Sequence, residues 1–309
     1  MFTCRLLLVT SRQWARQSYR ACATNNSVWQ RTFEGVSVLR MNVPQCRVEP
    51  SENTALTIRV SDCDTQEPVV CLSQEDNTVS IVLDHARRSS CCSVLLPSMA
   101  SLDIVGQNIH LQGLLLDQCQ LSGGTVTLSN IKLAKTLSAD ATQVTCRGLL
   151  LSGDVKLKVQ ELLAERLLVS GTTEVNADKA TVNAVYTESL LFHCKGSVDL
   201  GTLHGHGALN TGDIRVGSME GNFDVLTTSG NVNLLVALTE KLSVHTTTGD
   251  VCLYFLTPYS TSVRGRTTHR HPDIPDSADD DATVRVFCES GKVHLDKQDW
   301  ATHMCSRQT

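Results

Sequence analysis

Residues 223–234 lie over residues 242–253 at a constant offset of 19, matching in Val, Thr, Thr, Gly, Val and Leu. Internal repetition restricts the fold more than any local propensity does. A unit this short cannot bury its own apolar row, so copies must stack on one another. The shared kernel is Gly-x-Val/Ile-x-Leu/Val. It recurs at Gly124, Gly153, Gly196, Gly212, Gly230, Gly249 and Gly291, with degenerate copies after Gly171 and Gly106. Five of the eight intervals between successive glycines fall between 16 and 19 residues, and the longer ones imply protruding loops.

Within each unit the apolar residues alternate with Thr127, Lys156, Asp199, Arg215, Asn233, Cys252 or His294. That is the period of a strand with one face buried. At roughly 3.3 Å per extended residue, a coil of about 18 residues accommodates two or three short strands and their corners. The glycine ahead of each pair is expected to supply the positive φ that a sharp corner needs. Only residues 159–169 have the local propensity of a helix, and the stacked rows are expected to override it.

The expected fold is therefore all-β: a single-stranded, β-helix-like solenoid over residues 94–298, preceded by a strand-rich N-terminal cap over 34–93. Alternating runs at 36–43, 56–60 and 79–83 build the cap, which lacks the glycine unit. Where the repeat interval rises to 42 residues, Arg264, Arg266 and Arg270 precede Pro272, Pro275 and five Asp. This pattern reads as a mobile charged loop over 258–282. Residues 299–309 read as a C-terminal tail.

All 32 acidic residues lie at or after Glu34, whereas residues 1–33 hold Arg5, Arg12, Arg16, Arg20 and Arg31 and no Lys. An acid-free, Arg-rich, Ser-containing leader has the composition of a mitochondrial transit peptide, which a membrane potential draws inward. The apolar run Leu6–Val9 is too short for the hydrophobic core of a secretory signal. The expected location is mitochondrial, in the matrix, with a cytoplasmic chain as the alternative. Beyond the leader, 22 Lys and Arg face 32 acids, a net charge of −10. Such a body repels phosphate backbones, so nucleic acid is not an expected partner. No apolar run reaches the roughly 20 residues that span a bilayer. The thirteen Cys show no C-x-x-C spacing, and Cys91 and Cys92 are adjacent, so they read as reduced, packed thiols.

The succession of Ser/Thr-Gly-Asp/Asn-Val-x-Leu units after Val94-Leu95-Leu96-Pro97 resembles the adhesin-type β-solenoid family sometimes called Toastrack. With its Arg-rich leader, the chain resembles vertebrate "family with sequence similarity" proteins that contain one such domain. The resemblance covers roughly residues 94–295 and implies a β-solenoid. It supplies no catalytic residues, and its name implies surface binding.

Asp154, Asp213 and Asp250 each follow Ser/Thr-Gly, so stacking could gather carboxylates for metal or acid–base work. The plainer expectation is that each caps a turn. Asn231, Ser197, Lys292 and Thr125 fill the equivalent slot in other units. His204/His206 and His269/His271 place imidazoles two residues apart, short of the three or four ligands that zinc requires. No phosphate loop, nucleophile elbow or dinucleotide fingerprint is present. No residue is assigned as catalytic, cofactor-binding or metal-ligating, and no cofactor is expected. The expected function is that of a non-enzymatic scaffold offering a long, flat acidic face to a protein partner in mitochondria. A glycan-active β-helix enzyme using clustered Asp and a secreted adhesive module are the alternatives.

Overall fold

The computed structural model describes residues 28–61, 70–83 and 91–299. These residues form a 19-stranded sheet wound into a β-solenoid of about nine turns. Among them there is no α-helix, only a 3-10 turn at Asp279–Asp281. The N-terminal strands are β1 (Val28–Phe33), β2 (Val38–Asn42), β3 (Gln45–Pro50), β4 (Leu56–Ser61), β5 (Val70–Glu75), β6 (Thr78–Leu83) and β7 (Cys91–Leu96). Long bent strands follow: β8 (Ala100–Gln112), β9 (Leu115–Leu133), β10 (Thr136–Ser152), β11 (Asp154–Ala177), β12 (Lys179–Cys194), β13 (Val198–Thr211) and β14 (Ile214–Thr227). The stack finishes with β15 (Val232–Leu238), β16 (Leu242–Thr246), β17 (Val251–Phe255), β18 (Thr261–Arg270) and β19 (Val284–Lys297). Residues 159–169 lie in β11, as the row argument requires.

Alternation along each strand builds the core. Ile214, Val232, Val251 and Val293 pair in register on successive coils, as do Phe223, Leu242 and Val284, and all are buried. Parallel stacking turns each alternating apolar position into a continuous ladder. At about 25 cal/mol per Å² of apolar surface, these ladders are the main source of stability.

The repeat glycines serve close approach more than backbone handedness. Among Gly212, Gly230, Gly249 and Gly291 only Gly249 has positive φ, at +152°. A Cβ at Gly230 would sit on the carbonyl oxygen of Gly212, and one at Gly291 on that of Gly249. Any side chain would push the coils apart at this corner.

Both ends depart from sequence order. The N-terminal cap is itself part of the stack: β2 is flanked in parallel by β6 and β8, and β3 by β7 and β8. The terminal coil is therefore β6–β7, and antiparallel β5 and β4 cover its outer edge. β1 pairs antiparallel with β4, so residues 28–33 of the expected 1–33 leader form a strand of the sheet. Residues 1–27 and 300–309, where the rest of the expected leader and nearly all of the expected tail fall, lie outside the described residues.

At the other end, the expected loop over 258–282 contains β18, which pairs in parallel with β19 and forms the last rung. Thr261, Ser262 and Ile274 are buried. The doubled repeat interval thus holds a true rung, one whose strand departs from the glycine pattern. Residues 275–277 cover the start of β18 through Thr261 N–H to Pro275 O and Ser277 N–H to Thr261 O, both 3.0 Å. Its exposed Arg264 and Arg266 are the kind of charged side chains that keep an open edge from recruiting another strand.

Candidate functional site

The three aspartates of the glycine units do not meet. Asp154 stacks on Thr136 at one corner, where its Oδ1 accepts the Thr172 N–H at 2.8 Å. Asp213 and Asp250 stand at another corner, with Asn231 between them. Asp213 Oδ1 accepts the Asn231 N–H at 2.8 Å, Asn231 Oδ1 the Asp250 N–H at 3.0 Å, and Asp250 Oδ1 the Lys292 N–H at 2.9 Å. The glycine before each residue brings the coils close enough for a short side chain to reach the next amide. Lys at 292 receives the last bond of this ladder, which is why the slot tolerates it.

Part of the charge behind the expected acidic face is neutralised within the coils. Asp117 pairs with Lys135, Asp140 with Lys158, Glu174 with Lys156 and Asp178 with Lys195, each one coil away. Each pair bridges two neighbouring coils, and these exposed pairs add little stability individually.

A different feature stands out on the outward side of β9 to β15. Its outward row runs Lys132, Leu151, Leu168, Tyr186, His204, Glu220 and Leu238 on successive coils. Leu151 is 38% exposed, Tyr186 40% and Leu238 64%. The Tyr186 ring lies 5.9 Å from that of His204, whose Nδ1 is 3.2 Å from Glu220 Oε2. Outward positions of a solvent-facing sheet are ordinarily polar, so three successive apolar rungs at about 4.8 Å spacing form an exposed apolar patch. The sequence carries its signal in Leu149-Leu150-Leu151 and Leu167-Leu168. In a strand, one of two adjacent apolar residues must point outward.

The histidine pairs separate. His204 turns to Glu220, while His206 Nδ1 accepts the Asn222 N–H at 3.3 Å. His271 Nδ1 accepts the Asp273 N–H at 3.2 Å, and His269 instead stands beside His294 of the neighbouring strand. The described cysteines are unbonded to one another. Cys91 and Cys92 face opposite sides of β7, with Cys92 buried. Burial pushes the thiols of Cys46 and Cys146 up to about 12 from the ordinary 9.0, and those of Cys92 and Cys119 higher still. Such thiols stay protonated and unreactive at neutral pH.

No protein-family model and no curated protein matches this sequence. Among solved structures, it is similar to a "putative cell adhesion protein" from Clostridium sporogenes at 9% identity, covering 88% of this chain and 100% of that one, with a TM-score of 0.21. It is also similar to a "putative adhesin" from Bacteroides fragilis at 11% identity, covering 88% and 97%, with a TM-score of 0.27. Scores this low carry no property of either protein over to this chain.

Proposed function

We propose that the protein is a non-enzymatic β-solenoid scaffold that works in mitochondria and docks a protein partner along the Leu151–Leu168–Tyr186 row. The carrying observation is that row itself: apolar side chains on consecutive rungs, in positions where the sheet needs none for its own core. The partner this chemistry fits offers an apolar segment laid across the coils, with a basic group reaching Glu220 at one end of the row and an acidic group reaching Lys132 at the other. The mitochondrial part rests on the Arg-rich, acid-free leader.

Proximity labelling in intact cells tests both parts. The wild-type protein should label mitochondrial neighbours, and Leu151→Asp combined with Tyr186→Asp should lose a subset of them while melting within a few degrees of wild type. An unchanged set of neighbours in the double variant rejects the docking row. A reporter carrying residues 1–27 that stays in the cytosol rejects the location.

A further inference from the structure

We propose that His269, His294 and Asp296 bind a zinc-class dication and thereby fasten the last rung of the solenoid to its neighbour. His294 and Asp296 sit two residues apart on β19 and share its outward face. His269 comes from β18. A register shift between Thr267 and His269 sets His269 opposite His294, whereas an unbroken register would set it opposite the buried Leu295. The bulge is therefore what brings the two imidazoles together, a use of bulges often seen where a side chain must be re-aimed.

The rings stack with centroids 4.6 Å apart and planes 22° apart. His269 Nε2 lies 3.8 Å from Asp296 Oδ1, and His294 Nε2 lies 3.9 Å from Asp296 Oδ2. One ligand atom from each residue falls within 4.8 Å of the other two. These separations exceed a hydrogen bond, so the three groups converge without bonding one another. Zinc bonds of about 2.0–2.1 Å in a tetrahedron put ligand atoms roughly 3.4 Å apart, within reach of small side-chain rotations. Two imidazoles and a carboxylate suit zinc better than calcium or magnesium, which prefer all-oxygen sites.

The trio is partly open to solvent, which gives an ion a way in and leaves a fourth position for water. Nearby cations are mostly neutralised: Arg270 pairs with Asp276, Lys297 with Asp273 and Arg264 with Asp279. Arg266 and Lys292 occupy the adjacent outward row and set an upper limit on affinity. Because the ligands come from both β18 and β19, ligation would hold the terminal strand at the edge where the stack has least to pack against.

The test uses the purified chain and inorganic Zn²⁺ and Co²⁺. Wild type should bind about one ion per chain at this site, show the visible absorption of tetrahedral Co²⁺, and melt at a higher temperature with Zn²⁺ than with chelator. His269→Ala and Asp296→Asn should each weaken binding at least about tenfold and abolish the Zn²⁺-dependent rise in melting temperature. Their melting in chelator should match wild type, which separates lost ligation from lost folding. His193→Ala, distant from the trio, should behave as wild type. Co²⁺ absorption and a Zn²⁺-dependent melting shift that survive in both site variants overturn the proposal, as does the absence of any shift in wild type.

Discussion

Asp213 Oδ1 accepts the backbone N–H of Asn231 at 2.8 Å, one coil further along the stack. The bond exists because Gly212 and Gly230 let their backbones approach more closely than any side chain would permit. The glycine and the residue after it thus act as one device. Gly230→Ala should destabilise by about 2–4 kcal/mol, since the added methyl meets the carbonyl of Gly212 and the coils must part. Asn231→Ala should cost about 1 kcal/mol, the worth of one hydrogen bond. Lys292→Ala, at the receiving end of the ladder, should cost less than about 0.5 kcal/mol. Urea denaturation ranks the three, and a Gly230→Ala variant that loses no more stability than Lys292→Ala would contradict the close-approach account.

Inward and outward neighbours on one strand should differ sharply. Val232 is 1% exposed within its ladder, and Val232→Asp places an unpaired charge in the core at a cost of several kcal/mol. Asn233→Asp, beside it on the solvent face, should shift the melting midpoint by no more than a degree or two. Equal shifts would mean that the register along β15 is wrong.

Removing residues 258–282 should be severe. Excision takes away β18, the strand that covers one edge of β19, together with the buried Ile274. The shortened chain should melt well below wild type and aggregate through its bared edge. Light scattering during a thermal ramp checks this, and a monomeric protein with unchanged melting would show β18 to be dispensable.

Alkaline pH should weaken the fold through its buried thiols. Burial raises Cys146 to about 12 in the folded protein against an ordinary value of 9.0. Between those values the unfolded chain has released the proton while the folded chain still holds it. Stability is thus intact below pH 9 and falls as pH rises toward 12, by at most about 1.4 kcal/mol per pH unit for each such thiol. Chemical denaturation at pH 8 and pH 10.5 measures the slope, and Cys146→Ala should flatten it.

The repeat kernel made the solenoid legible because inward Val and Leu, the corner glycine and the outward polar residue each have a fixed place in every coil. The strand at residues 159–169 followed from the same rows, which outweigh the helix propensity of Leu162, Leu163 and Ala164. The ends were not legible. β6, β7 and β18 lack the glycine kernel, and stacking was read in chain order, the usual arrangement. For the same reason His269 and His294 could not be matched: a bulge resets their register, and no spacing rule anticipates it. The Leu151 row was half legible, written in paired leucines that strict alternation cannot hide.

β18 leaves the ribosome before β19, yet its strand partner is β19, which also fills the gap beside β16 and β17. During synthesis the stack therefore has an unfinished edge until β19 emerges, and β18 must wait and then close over a strand made after it. A stop codon shortly before Val284 would leave a chain holding most of its coils but with a bare, pairing-competent side. Such a product is suited to aggregation and to capture by quality control. Chains that stop before β19 should therefore be lost from cells far more readily than those that keep it.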